Sequence, residues 1–417
     1  MGCPQWSCRS NSVEEERNLG VRRSLYVWLS VLIAVSPLLL ALPPREAEAA
    51  VGAQIVGPTY ASGVRYSGQA AASTLQVKNS GTAADTLWVR YTVTDKAGKE
   101  RNLPAVSVSL GAGQLSGTIT RTWTVPDPVD PSVLTTGFYA AGFSVYDANP
   151  DTNAAARLLD SDEQPNAFRA FNFLDQFSTF DTTRWFRGDH GLGFIREQGP
   201  DEPGCGTIGP ATNVLYASYL NPANVALSGT GQLQMRLPAG PSSNPCANVE
   251  GAEIESADYY RYGTYEIRMQ LPDAPSSITG FFLYGGDGVA EIDIEAFNEK
   301  TTDPDTGAQK GKVMFTTYSK NPDGSPNYTP THTTNGEPGN EPPLSLPFDP
   351  TAGMHIYRFD LYPGSVRFYV DGVMMKEWTD GLPSDKMKLL LNSWYPRWMS
   401  QTAPPEDRFL NVEWIRH

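Results

Sequence analysis

The residues Glu291-Ile292-Asp293-Ile294-Glu295 set three carboxylates at alternate positions. Strict alternation and β-branched spacers make this segment a strand, so the acids share one face while Ile292 and Ile294 point into a core. A helix would scatter them around its axis. Like charges along one strand face repel one another, so the row calls for a use. Three uses compete. One carboxylate can attack an anomeric carbon while another, protonated, gives its proton to the leaving glycosidic oxygen. The three can hold a calcium ion. They can also form a solvated polar face.

Glu291 and Glu295 stand about 13 Å apart along an extended backbone, but long side chains on a concave, twisted sheet can lean together. Glycosidic cleavage with retention needs carboxyl groups about 5 to 5.5 Å apart, and the spacing alone leaves the three uses open. Asp293, between them, is placed to share a hydrogen bond with a nucleophile and to hold the pKa values of the two glutamates apart.

The segments around the row must supply the sheet. Tyr362-Pro363-Gly364-Ser365 has the composition of a type II turn, and Asp371-Gly372 is a two-residue hairpin signal after Val366 to Val370. Roughly 250 residues of such material imply two large stacked sheets. Further upstream, from about Ala53 to Asn166, short alternating runs are separated by turn residues, as in Thr74 to Lys78, Thr86 to Val93 and Phe143 to Tyr146. Their spacing predicts a small antiparallel sandwich, similar in pattern and size to the immunoglobulin-like modules of exported bacterial enzymes. In Thr86 to Val93 the residues Leu87, Val89, Tyr91 and Val93 share the inner face, leaving Trp88 outside. The stretch Asp147 to Pro165, rich in Asp, Asn, Ala and Pro, reads as the end of this module. The expected division is 1–49 as a leader, 50–166 as the first sandwich and 167–417 as the second.

The leader rests on the apolar run Leu25 to Leu42, preceded by Arg22 and Arg23 and followed by Ala47-Glu48-Ala49, as in a secretory signal peptide or an uncleaved anchor. Both place the globular part outside the cell. After cleavage only Cys205 and Cys246 remain, and in an oxidising compartment they are expected to form one disulfide, worth about 4 kcal/mol on chain-entropy grounds. A net charge of −14, from 46 acidic against 32 basic side chains, disfavours nucleic acid and anionic membranes and also serves plain solubility. His190, His332, His355 and His417 show no metal spacing, and no nucleophile elbow, P-loop or dinucleotide fingerprint is present.

The run Glu291 to Glu295 resembles the E-x-D-x-E signature of glycoside hydrolase family 16 in its regular-strand, lichenase-like form. Gly251 to Ser256, Tyr262 to Met269, Phe281 to Tyr284, Val366 to Gly372 and Leu391 to Trp394 look like further lichenase-type segments in the expected order, and Leu410 to Ile415 like a final strand. The likeness covers about Phe171 to the end. It implies a two-sheet jelly-roll β-sandwich, all-β, with Glu291 as nucleophile, Asp293 as the assisting carboxylate and Glu295 as general acid/base. It also suggests Glu253, Tyr284, Tyr318, Asn392 and Trp394 as residues lining a sugar cleft. The implied reaction is endo-hydrolysis of β-1,3-1,4-glucan or a related β-glucan through a glycosyl-enzyme. Transglycosylation, cleavage of β-1,3-glucan or xyloglucan, and glycan binding without catalysis are its alternatives. No cofactor is required and no protein partner is implied, so a monomer is expected; a structural calcium is compatible with the family but no motif locates it. The sequence departs from the family at Val289 and Ala290, where Trp-Asp is usual, and at Thr316, where a cleft asparagine is usual.

Overall fold

A computed structural model describes residues 50–126, 134–197, 214–286 and 288–417. The leader 1–49 and Cys205 lie outside these residues; Cys246 is fully buried.

The alternating runs of the N-terminal part do form strands. Ala53–Thr59, Ala70–Asn79 and Ile119–Thr124 make a three-stranded sheet. Val64–Tyr66, Leu158–Phe171, Gly137–Tyr146, Asp85–Asp95 and Glu100–Leu110 make a five-stranded one. Leu87, Val89, Tyr91 and Val93 are all fully buried, and Trp88, Arg90 and Thr92 between them are not. Burial on alternate residues is what a sheet with one covered face requires. Tyr139 stacks on Phe168 at 5.4 Å, with Trp123 against both.

One strand crosses the position of the expected boundary after Asn166. The strand Leu158–Phe171 runs through it, pairing Phe168 with Tyr139 and Arg169 with both Phe138 and Val64. Pro165 lacks the ladder N–H and Asn166 adopts a positive φ of 52°, and the register with Gly137–Tyr146 shifts beside them. The residues that read as a linker thus make an irregularity within one long strand.

The second part is a sandwich of a ten-stranded and an eight-stranded sheet. The first carries, side by side, Ala247–Tyr260, Met387–Trp394, Ile278–Tyr284, Ala290–Phe297 and Lys312–Ser319. The second is built on Arg408–Arg416, Gly263–Gln270, His355–Tyr362, Ser365–Val370 and Val373–Trp378. Successive strands cross between the sheets, as in Ala247–Tyr260 to Gly263–Gln270 to Ile278–Tyr284, which gives the jelly-roll winding. The two expected turns are in place. Gly364 (φ 80°) joins one hairpin, and Asp371 (φ 48°) with Gly372 (φ 80°) closes the next in the type I′ conformation that such pairs favour. Between the sheets lies one apolar core that includes Ile292, Ile294, Phe281, Phe315, Phe359 and Phe368.

The two sandwiches meet over a polar junction. The backbone N–H of Thr264 donates to Thr136 Oγ1 at 3.0 Å, and Thr264 Oγ1 donates to Asp360 at 2.9 Å. Glu266, nearly fully buried, is paired with Arg169 of the first sandwich at 3.0 Å, with Arg358 at 3.6 Å and with Arg416. His417 stacks on Tyr265 at 4.1 Å, and burial pushes its imidazole down to about 3.

Candidate active site

In Ala290–Phe297 the alternation is complete: Ala290, Ile292, Ile294 and Ala296 are fully buried in the core, and Glu291, Asp293, Glu295 and Phe297 face the opposite side. That side is the floor of an open cleft of about 870 Å³. Strand register sets the neighbours of each acid. Glu291 lies between Tyr284 and Tyr318, Asp293 between Phe282 and Thr316, and Glu295 between Gly280 and Met314. Gly280 in turn pairs with Asn392, and Asn392 with Glu253. A side chain on Gly280 would bring its Cβ within 2.7 Å of Asn392 Oδ1, so glycine leaves the space that the Asn392 amide occupies. The Gly280 N–H donates to that oxygen at 3.3 Å, which leaves Asn392 Nδ2 to donate to Glu253 Oε2 at 3.4 Å.

All eight residues singled out from the sequence as catalytic or sugar-lining therefore line one cleft: Glu291, Asp293, Glu295, Glu253, Tyr284, Tyr318, Asn392 and Trp394. The same walls include residues that were not singled out. Glu255, Phe282 and Phe297 follow from strand parity, each being two positions from a named residue on the same strand. Arg397 and Trp398 sit beyond Met387–Trp394 in irregular backbone, where no periodicity points to them. The family departures also take definite places. Ala290 belongs to the core and Val289 packs against it, so neither supplies a ring or an acid to the cleft. Thr316 does line it, opposite Asp293, with its hydroxyl 3.2 Å from that of Thr333.

The electrostatics follow from burial and from the scarcity of cations. Among the described residues lining the cleft, Glu253, Glu255, Glu291, Asp293, Glu295 and Glu337 face a single arginine, Arg397. Burial, and then the charges of Glu291 and Glu295, raise Asp293 well above the usual carboxylate range, and it shares a hydrogen bond with Glu291. Burial lifts Glu295 to about 7. Burial likewise lifts Glu253 to about 8, against the hydrogen bond from Asn392. Its Oε1 is buried without a hydrogen-bond partner, with His190 Nε2 at 3.7 Å as the nearest cationic candidate, and burial pushes that imidazole down. An acid near neutrality, next to a carboxylate that receives a proton-sharing bond, can both donate a proton and leave a nucleophile free. No group of three or more His, Cys, Asp or Glu among the described residues is arranged to hold a metal ion.

Sequence comparison with known families and proteins points the same way. The family described as Glycosyl hydrolases family 16 matches residues 216–416. A beta-glucanase of Paenibacillus macerans is 29% identical over 46% of this chain and 73% of its own length. A beta-glucanase of Paenibacillus polymyxa is 25% identical over 60% of this chain and 90% of its own. Among solved structures, that of Bacillus licheniformis beta-glucanase covers 58% of this chain and 96% of its own, at 24% identity and a TM-score of 0.41.

Proposed function

Residues 216–416 form a domain of glycosyl hydrolases family 16, and from that premise we propose that the protein is a retaining endo-β-glucanase in which Glu291 attacks the anomeric carbon and Glu295 serves as acid and then base. One observation carries the reading: the row Glu291, Asp293 and Glu295 lies on the floor of an open cleft, with Glu295 lifted to about 7 by burial. An open cleft admits the middle of a long chain, which suits endo-cleavage. In the first step Glu291 forms an ester to the sugar while Glu295 passes its proton to the departing oxygen. Asp293, kept protonated by burial and then by its acidic neighbours, donates to Glu291 and stabilises the carboxylate before attack and after release. In the second step Glu295, now ionised, takes a proton from water, which attacks the same carbon and frees Glu291.

Mixed-linkage β-1,3-1,4-glucan is the leading substrate, a reading supported by the beta-glucanases among the relatives matched by sequence. The hydroxyl of Thr316, which lines the cleft opposite Asp293, suits a glycan preference of its own. The tyrosine and tryptophan faces of Tyr284, Tyr318 and Trp394 offer apolar platforms to pyranose rings, and Glu253 and Asn392 offer hydrogen bonds to hydroxyls. The leader 1–49 would carry the enzyme to an exterior where polymeric glucan is found, and a disulfide between Cys205 and Cys246 would form there.

The test is incubation of the mature protein with mixed-linkage glucan, β-1,3-glucan and xyloglucan, followed by product sizing and by following the anomeric configuration of new reducing ends. New β-configured ends on mid-sized fragments are expected. Absence of cleavage of every β-glucan, or turnover by Glu291→Gln, would overturn the proposal.

A further inference from the structure

Next to the cleft, on the same face of the ten-stranded sheet, two aromatic rings stand in the open. Phe186 is 52% exposed and Tyr259 is 58% exposed. Neither serves the core, and neither belongs to the cleft walls already described.

Register connects them to the acids. Glu291 pairs with Tyr284, Tyr284 with Lys388, and Lys388 with Tyr259. One strand further out, Trp185–Arg187 pairs with Ala247–Tyr260 and sets Phe186 opposite Glu255, a wall of the cleft. Directly paired residues project to the same side of a sheet, so these side chains form a band running across the strands, away from Glu291. Neighbouring strands lie about 4.8 Å apart, so Tyr259 is roughly 14 Å from the Glu291 strand and Phe186 roughly 19 Å.

Lys388 fastens the outer end of the band. Its ammonium is paired with Glu255 and lies 5.3 Å from the ring centre of Tyr259 and 5.6 Å from that of Phe186. One cation thus holds both rings near one another, tied to the cleft wall through Glu255. The rings keep open faces, and the ammonium retains donors that a hydroxyl can accept.

We infer that Phe186 and Tyr259, braced by Lys388, form a distal sugar-binding subsite that grips the substrate chain several sugar units from the bond that is cut. This rests on the proposed β-glucanase reading, which places a glycan across the strands, and it names residues outside the cleft as determinants of chain-length preference. The occupant is the continuation of the same glucan: the rings adjoin the cleft through Glu255, and pyranose faces are the apolar surfaces such rings stack on. The subsite selects long chains over short ones.

Affinity for a ladder of mixed-linkage oligosaccharides, measured by calorimetry on Glu291→Gln protein, tests this without turnover. In that background affinity should climb with each added sugar until the chain covers the rings. The Phe186→Ala and Tyr259→Ala changes should each weaken the longest oligosaccharides by about tenfold, removing the last step of the ladder. Tyr259→Phe should restore that step, since it keeps the ring. Equal loss at every length, or an unaltered ladder in the double alanine variant, would overturn the inference. If wild-type protein cleaves no β-glucan and Glu291→Gln binds none, the underlying functional reading has failed and the subsite falls with it. Cleavage with an unaltered ladder sinks the subsite alone.

Discussion

Asp293 and Glu266 are both nearly fully buried acids, 5% and 2% exposed, yet their surroundings are opposite. Glu266, at the junction of the two sandwiches, meets three guanidinium groups, from Arg169, Arg358 and Arg416. The charges that act on Asp293 among the described residues are two more carboxylates, Glu291 and Glu295. A buried acid with partners is a structural pin, whereas one among like charges holds on to its proton. The fold tolerates the second arrangement only where proton transfer has a use, and the difference separates a load-carrying junction from a reactive floor.

The sharpest way to break the contrast is at the floor. Removing the proposed proton donor by Glu295→Gln should lower kcat by about 10² to 10⁴-fold, and Glu291→Gln should lower it at least as much. A substrate with a leaving group that departs without protonation should restore much of the first loss and none of the second. Kinetics on an aryl β-glucoside oligomer set against the natural glucan would read this. Equal rescue of both variants would reverse the assigned roles.

At the junction the expected effect is on stability. Glu266→Ala leaves three arginines without their acid and should destabilise the protein by about 3 to 5 kcal/mol, seen as a fall in the denaturant midpoint. Turnover per folded molecule, titrated with a mechanism-based inhibitor, should stay near that of the parent. A large drop in kcat at intact stability would mean that the junction acts on the cleft.

These two sites also differ in how far the sequence disclosed them. The alternation of Glu291 to Glu295 was enough to place the acids on one face and the isoleucines in the core, because a strand has only two sides. The turn chemistry at Gly364 and Asp371-Gly372 marked the hairpins for the same local reason. Glu266 and its arginines carry no such signature. They come from segments nearly 250 residues apart and, read singly, each is an ordinary charged residue of a solvated strand face. The continuation of Leu158–Phe171 past Pro165 and Asn166 was hidden as well, since a proline and a left-handed asparagine look the same in a linker as in a strand irregularity. Arg397 and Trp398 reach the cleft from irregular backbone, whose course is set by tertiary packing.

The pH response should show the same asymmetry. In the proposed role Glu295, at about 7, must be protonated to act, so kcat/KM should fall as pH rises through about 7. Glu253 is lifted to about 8, above its ordinary 4.5, so the native protein keeps a proton there that the unfolded chain has released. Its effect is a loss of stability as pH rises from about 4.5 to about 8, at up to about 1.4 kcal/mol per unit. Glu253→Gln removes that proton linkage. Melts across this range should show a flatter decline in the variant and a smaller gap to the parent at pH 5 than at pH 8. A parallel decline in both proteins would show that Glu253 is ionised throughout.

The smallest effect separates partnership from packing at the junction. Arg169 is the most exposed of the three arginines, with 24% of its side chain accessible against 12% for Arg358 and 11% for Arg416. Its guanidinium also lies over Phe138 at 5.4 Å and Phe171 at 5.8 Å. Arg169→Met keeps an apolar stem over those rings and leaves Glu266 two cations, so the expected cost is about 1 kcal/mol. A double-mutant cycle with Glu266→Ala assigns it. If the ion pair is what Arg169 contributes, the methionine change should cost nothing once Glu266 is gone, or even stabilise by removing an unpaired buried charge. A cost that persists undiminished in the Glu266→Ala background would show instead that Arg169 joins the sandwiches by stacking on the phenylalanines, with Arg358 and Arg416 sufficient for Glu266.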